Sequence, residues 1–383
     1  MVAQVVVRCV HGLEWVAAAE VDASLPGASD IAISRREITF SLPELNPRVL
    51  DLRCADDAFL DVGEVPAGRT KADLPDLARD VARLDWHAAA TAIGALRGNA
   101  SSTFDCVVSI EGKRSYNRYA AEDAVGDTLR EVLGLRFLSR SSAGVAFAEQ
   151  PDMTVRLFLR GTTATAALRI DRRPLHRRAY KLATGPGTLH PPLAAALAAM
   201  IGRGGLAVHD PFCGDGTLAI ETALRWPTSR VTAGDIDPER VANTRVNAER
   251  AGVDVAVSTA DAGDIARLGT RLDLLLTNPP WDLAVTPRGH LRSSSWTFWS
   301  DAATALRGSG RVCSVTDATL DVPQGLRERG FAVGLATRLR LAGRVVHVSF
   351  AGAPGSAAPQ LPSDLASWRH RAISEGVITE RGF

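Results

Sequence analysis

From Leu193 to Phe350 short apolar runs alternate with helical ones, and this alternation limits the fold more than any other feature of the chain. A helix over Leu193–Ile201 precedes a buried strand, Leu206–His209, a glycine turn and a helix over Thr217–Leu224. Strand Arg230–Ala233, helix Pro238–Ala251 and strands Asp254–Ser258 and Leu272–Leu276 follow, with later strands at Arg311–Val315 and Arg344–Phe350. Strands alternating with helices predict a mostly parallel, doubly wound α/β sheet. In such a sheet ligands lie outside the carboxyl ends of the strands. The residues at those tips are therefore the first candidates for chemistry.

The segment before residue 170 has a different grain. Strand-like runs at Val5–Val7, Ile31–Phe40 and Arg48–Leu60 surround a helix from about Gly12 to Val21. A connector, Pro66–Pro75, leads to a helix near Leu74–Leu84, then a strand over Ser102–Ile110, a polar turn and a helix over Glu122–Leu133. Two further runs, Thr154–Leu159 and Thr163–Ile170, flank a turn at Gly161. The expectation is an α+β module ahead of the α/β domain.

Charge and cysteine usage exclude several classes. The 383 residues carry 44 basic and 43 acidic side chains, so no strong overall field advertises nucleic acid or membrane. Five scattered cysteines form neither a disulfide framework nor a zinc pattern, which points to a reducing cytoplasm and no metal. The first ten residues lack the basic start of a signal peptide. The longest apolar run, Leu193–Ile201, has nine residues, whereas a membrane helix needs about twenty. No membrane partner is expected, and the chain is expected to act as a monomer.

The turn Asp210-Pro211-Phe212-Cys213-Gly214-Asp215-Gly216-Thr217 stands where a strand hands over to a helix. Glycines there let the backbone approach a ligand closely. Asp235, at the next strand tip, lies nineteen residues beyond Gly216, the distance at which a carboxylate can hold ribose hydroxyls. Gly214-Asp215-Gly216-Thr217-Leu218-Ala219 also fits the dinucleotide fingerprint. At this point a nicotinamide-dependent dehydrogenase remains a rival, although no evident His/Arg pair for hydride transfer accompanies it.

Asn278-Pro279-Pro280-Trp281 follows the apolar run Leu272–Leu276. Two prolines stiffen the turn and hold the preceding residue extended. Asn278 can then aim its side-chain carbonyl, with the Pro279 backbone carbonyl, at one exocyclic amino group. Trp281 offers a flat face for a base. The alternative is a plain Pro-Pro loop with Asn as its turn former.

Basic residues are concentrated elsewhere. Across residues 151–190 eight Arg or Lys side chains face two acids, a local charge of +6 in a chain whose total is +1. Arg172, Arg173, Arg177, Arg178 and Lys181 form most of this excess. A phosphate-contacting patch and a solvated linker are both compatible with it.

Asn-Pro-Pro-aromatic downstream of Asp-Pro-Phe-Cys-Gly-x-Gly-Thr resembles the amino-group branch of the class I S-adenosylmethionine-dependent methyltransferases, over about Leu189–Phe350. The resemblance implies that Asp210, Phe212, Gly214, Gly216 and Thr217 surround the methionine part of the cofactor. Asp235 would hold its ribose, Ile236 would lie beside the adenine, and Asp261 with Ala262 would contact the adenine amino group. Asn278, Pro279, Pro280 and Trp281 would hold the acceptor amine, with Asn278 also counted among the cofactor-binding residues and Trp281 in place of the commoner Tyr or Phe.

The opening half resembles THUMP-containing RNA methyltransferases. His11-Gly12-Leu13-Glu14, Leu52-Arg53-Cys54-Ala55-Asp56-Asp57, Gly112-Lys113-Arg114-Ser115-Tyr116-Asn117-Arg118 and Pro174-Leu175-His176-Arg177-Arg178-Ala179-Tyr180 carry that similarity, in the family's order. The resemblance implies a ferredoxin-like domain at 1–65, a THUMP RNA-binding domain at 66–170, a basic linker at 171–190, a Rossmann-like methyltransferase domain at 191–350 and a tail at 351–383. It also implies RNA contacts by Lys113, Arg114, Arg172, Arg173, Arg177, Arg178 and Lys181. The expected activity is methylation of an exocyclic base amine, guanine N2 in tRNA or rRNA. Adenine N6 or protein glutamine N5 methylation shares the Asn-Pro-Pro motif, and a non-catalytic RNA-binding protein is the non-enzymatic alternative.

Overall fold

The computed structural model describes residues 2–99, 101–141, 149–268, 271–280, 288–289, 295–341 and 343–383. Contacts divide the chain into two compact units. One comprises Met1–Arg8, Val21–Ala32 and Glu37–Leu175, and the other Cys9–Glu20, Ile33–Arg36 and His176–Phe383.

In chain order the first sheet contains β1 (Ala3–Cys9), β2 (Ser29–Ser34), β3 (Glu37–Leu42), β4 (Ala55–Pro66), β5 (Thr103–Ile110), β6 (Arg136–Phe137), β7 (Met153–Arg160) and β8 (Thr163–Arg169). They pair in the order β2-β3-β1-β4-β8-β7-β5-β6. The helices of this half of the chain are α1 (Glu14–Ser24), α2 (Leu74–Ala82), α3 (Trp86–Arg97) and α4 (Arg118–Leu133).

Three sequence expectations need correction here. Ile31–Phe40 is two strands, because Arg36 takes a left-handed conformation (φ 63°) and turns the chain back. Arg48–Leu60 begins as a 3-10 turn at Pro47–Asp51, and the strand starts only at Ala55. Helix α3 was not foreseen, since its many alanines give little polar contrast. It is nonetheless well bounded: Asp85 accepts from the Ala88 N–H at 3.0 Å, and Gly98 closes it in the left-handed region. At its last turn Arg97 donates to the carbonyls of Ile170, Asp152 and Arg169, each at 2.8 Å, tying the helix to the strand ends.

The second sheet contains β9 (Ala207–Asp210), β10 (Arg230–Asp235), β11 (Val255–Thr259), β12 (Leu272–Thr277), β13 (Leu306–Asp317), β14 (Ala332–Leu341) and β15 (Arg344–Gly352). Its helices are α5 (Pro191–Met200), α6 (Thr217–Arg225), α7 (Pro238–Ala251), α8 (Ser295–Ala305), α9 (Val322–Glu328) and α10 (Ser363–Ser374). The strand order is β11-β10-β9-β12-β13-β15-β14. Strands β9 to β13 run parallel, and β15 is antiparallel to both of its neighbours. Edge strand β14 was not foreseen.

This order sets the site. The chain moves from β9 outward through β10 to β11, then returns to pair β12 on the other side of β9. The crevice at the carboxyl ends of β9 and β12 is thus a topological switch point. Below it, Leu275 and Val312 pack with Phe298, Trp299 and Leu326 in an apolar cluster that anchors the strands. Helix α7 has Asp237 as its cap, Pro238 in its first turn and Gly252 left-handed at its end, so its start is pinned beside the tip of β10.

Candidate active site

The glycine turn leaves β9 at Asp210, which is 1% exposed. Burial pushes its carboxyl up to about 8, against the pull of a hydrogen bond from the Phe212 N–H, and the nearby Asp235 charge adds to the rise. Gly214 (φ 52°) and Gly216 (φ 82°) are both left-handed, a conformation other residues rarely hold. Space within 4 Å of a Cβ at Gly214 is open, whereas a Cβ at Gly216 would meet Thr244 Cγ2 at 2.7 Å. Gly214 thus leaves a ligand its approach, while Gly216 lets α7 pack close.

Asp235 ends β10 and ties the turn to it. Its Oδ2 accepts from the Gly214 N–H at 2.9 Å, and its Oδ1 from the Asp237 N–H at 3.0 Å. Each oxygen keeps a second lone pair for a hydroxyl. Ile236 is 38% exposed beside it. Asp261 caps the short turn after β11 by accepting from the Gly263 N–H at 2.9 Å, and Ala262 is buried. Phe212 packs edge-on to Phe298, ring centres 5.0 Å apart. Thr217, the first residue of α6, accepts from Lys181 Nζ at 3.0 Å.

At the tip of β12, Asn278 Oδ1 is buried without a hydrogen-bond partner among the described residues. An orphaned carbonyl oxygen at this depth costs about 1–3 kcal/mol, and an incoming N–H removes that cost. Pro279 and Pro280 are half-buried beside it. Trp281 lies outside the described residues.

Several residues that hold the site carried no separate sequence signal. Asp215 is buried and accepts from Arg240, Asn243, the Gly185 N–H and Thr188. Burial would raise its carboxyl, but these donors outweigh it and hold the group below the ordinary value. Asn247 accepts from the Leu182 and Ala183 N–H groups and donates to the Asp215 carbonyl. Together they clamp residues 182–188 over the glycine turn. A polar residue on each turn of α7 was the one available clue.

The basic residues separate into two groups. Lys113, Arg173 and Arg177 are exposed, and Arg172 is exposed with an ion pair to Asp152 at 3.0 Å. Three others are engaged within the protein. Arg178 is only 8% exposed and donates to Glu221 Oε1 at 3.0 Å, a group that also accepts from the Tyr180 hydroxyl. Lys181 is spent on Thr217, and burial pulls its ammonium down to about 8 despite the charges of Asp215 and Glu221. Arg114 donates to the carbonyls of Ala67, Gly68 and Gly161, so its charge holds a turn together.

Among the described residues no cluster of three or more His, Cys, Asp or Glu could hold a metal ion, and no helix is long and apolar enough to cross a membrane.

Comparison with known proteins bears on this geometry. A tRNA (guanine(6)-N2)-methyltransferase of Thermus thermophilus is 33% identical over 231 residues, 60% of this chain and 64% of its own length. A tRNA (guanine(10)-N2)-dimethyltransferase of Methanothermobacter thermautotrophicus is 32% identical over 38% of this chain and 43% of its own length. The matches therefore span less than two thirds of these curated relatives. Among solved structures, TrmN from Thermus thermophilus superposes over 92% of this chain and 99% of its own with a TM-score of 0.72 and 27% identity. A putative methyltransferase crystallised with S-adenosylhomocysteine, SMU.472, has a TM-score of 0.67 over 94% of this chain at 17% identity, which shows the fold alone. The second unit has a Rossmann-like methyltransferase fold. Residues 178–346, which contain the glycine turn, Asp235 and Asn278, match the model of the RMKL-like methyltransferase domain.

Proposed function

We propose that this chain transfers a methyl group from S-adenosylmethionine to an exocyclic base amine in structured RNA, guanine N2 in tRNA or rRNA. The observation that carries the reading is Asn278, whose buried Oδ1 has no hydrogen-bond partner among the described residues, at the tip of β12, beside Gly214 and Asp235 at the tips of β9 and β10. The relatives named for guanine N2 in tRNA support the substrate.

The residues fit the cofactor: an open approach at Gly214, spare lone pairs on Asp235 and a buried Asp210 under the turn. S-adenosylmethionine supplies an electrophilic methyl group when bound. Asn278 Oδ1 and the Pro279 carbonyl accept the two amine hydrogens, which turns the nitrogen lone pair outward. Alignment of this kind lowers the barrier without a dedicated base. Asp235 holds the ribose, and Asp261 with Ala262 borders the adenine. Trp281 provides the stacking face for a base flipped from its helix.

The first unit, with a THUMP domain at 66–170, grips the RNA backbone through Lys113, and the linker adds Arg172, Arg173 and Arg177, since phosphate contacts position an RNA without reading it. Five buried cysteines suit the reducing cytoplasm. The test is transfer of labelled methyl from S-adenosylmethionine to unmodified tRNA, with mass spectrometry of the digested nucleosides. N2-methylguanosine is expected. N6-methyladenosine, or label on protein alone, overturns the assignment.

A further inference from the structure

Thr277 Oγ1, Ser314 Oγ, Thr316 Oγ1, Ser349 Oγ and His347 Nδ1 are all buried without a hydrogen-bond partner among the described residues. The four hydroxyl residues are 0% exposed and His347 is 7% exposed. They come from three strands, yet the register brings them together. Thr277 pairs with Ser314, Ser314 with Ser349, and Thr316 with His347, which in turn faces Arg338 on β14.

Paired residues, and residues two apart on one strand, project from the same face of a sheet. The five groups therefore form two adjoining rows. One row is level with Thr277. The other lies two residues further along β13, past the end of β12 and alongside Asn278–Pro279. Lower on the same face Leu275, Val312 and Ala351 belong to the apolar cluster, so the face changes from apolar to polar at the catalytic end. Buried polar groups are almost always paired. Five such groups in one place form a polar patch whose hydrogen-bonding capacity is unused.

The histidine fixes what that ligand must offer. Arg338 Nε donates to His347 Nε2 at 3.3 Å. A guanidinium has no acceptor, so Nε2 is the accepting nitrogen and the proton sits on Nδ1. Burial, with the Arg338 charge beside it, keeps the imidazole neutral by lowering its pKa. Nδ1–H is thus a donor waiting for an acceptor.

We propose that these two rows form the pocket that reads the target base, with His347 Nδ1–H selecting a carbonyl edge, guanine O6, against the amino group of adenine. The inference rests on the RNA-methylation reading above and adds the residues that choose the base. The rows cross from β12 to β15, two strand spacings or about 10 Å, the scale of one planar base held at both edges, with its amine at Asn278.

The test compares wild type with Thr316→Val, His347→Phe and His347→Gln in single-turnover methylation of total tRNA, scored as N2-methylguanosine. Cofactor calorimetry and thermal melts accompany it. Thr316→Val and His347→Phe are expected to slow transfer about tenfold, as for loss of a base-edge contact, with cofactor affinity intact and melting temperature equal or higher. His347→Gln keeps an N–H and recovers part of the rate. Wild-type rates in Thr316→Val and His347→Phe would overturn the pocket while leaving the methylation reading intact. N6-methyladenosine from the wild type would overturn both. A readout independent of turnover is the His347 Nδ1–H proton resonance with S-adenosylhomocysteine bound: guanosine monophosphate should shift it and adenosine monophosphate should not. No shift with either, or equal shifts, also overturns the proposal.

Discussion

The Gly214 N–H donates to Asp235 Oδ2 at 2.9 Å, so the acid ending β10 holds the glycine turn that leaves β9. Its carboxylate holds the turn and, in the proposed reading, also a ribose. Asp235→Ala is therefore expected to weaken S-adenosylmethionine binding by about 1.5–3 kcal/mol, the range for hydrogen bonds to a charged group. Calorimetry checks this, and unchanged affinity would remove Asp235 from the ribose.

Asp210 gives a pH signature. Its carboxyl titrates at about 8 in the folded protein against an ordinary 3.8. Between those values the folded chain keeps a proton that the unfolded chain has lost, so this group's contribution to stability falls as pH rises through the window. The limiting slope is about 1.4 kcal/mol per pH unit. Relative to Asp210→Asn, the wild type should lose stability steadily from pH 5 to 8 in urea unfolding. A pH-independent difference between the two would show that Asp210 is already ionised when folded.

Arg178 and Arg177 are adjacent but should behave as opposites. Arg178→Gln takes the cation from the buried Glu221 carboxylate and is expected to cost about 3–5 kcal/mol of stability, read from denaturant midpoints. Arg173→Gln with Arg177→Gln should leave stability nearly unchanged and flatten the salt dependence of RNA binding. An unaltered salt slope in that double variant would make these arginines ordinary solvated residues.

Asn278→Ala should lower single-turnover methylation at least about tenfold, equal to about 1.4 kcal/mol of transition-state stabilisation, with little change in cofactor affinity. Trp281→Tyr should retain most activity, and Trp281→Ala should lose a stacking contribution of about 1–3 kcal/mol. A well-folded Asn278→Ala protein with near-normal turnover would mean that the amine is held elsewhere.

The glycine turn and the acid that ties it to the next strand were legible in the chain because their signals are local. A strand tip, two glycines and an acid nineteen residues on are set by backbone chemistry and the βαβ repeat, and Pro279 with Pro280 announces a stiff turn wherever it occurs. Helix α7 was read with its observed bounds for the same reason, its cap and closing glycine being neighbours in sequence. What tertiary structure alone decided was the fate of side chains whose partners are distant. Counting charge treats Arg177 and Arg178 alike. Only the packing of α6, which buries Glu221 43 residues away, turns one inward as an ion pair and leaves the other in water. Likewise Thr277, Ser314, Thr316, His347 and Ser349 share no spacing that a sequence reading could catch. They meet because strand register, set by long-range hydrogen bonding and by burial of the apolar face beneath them, places three separate strands side by side.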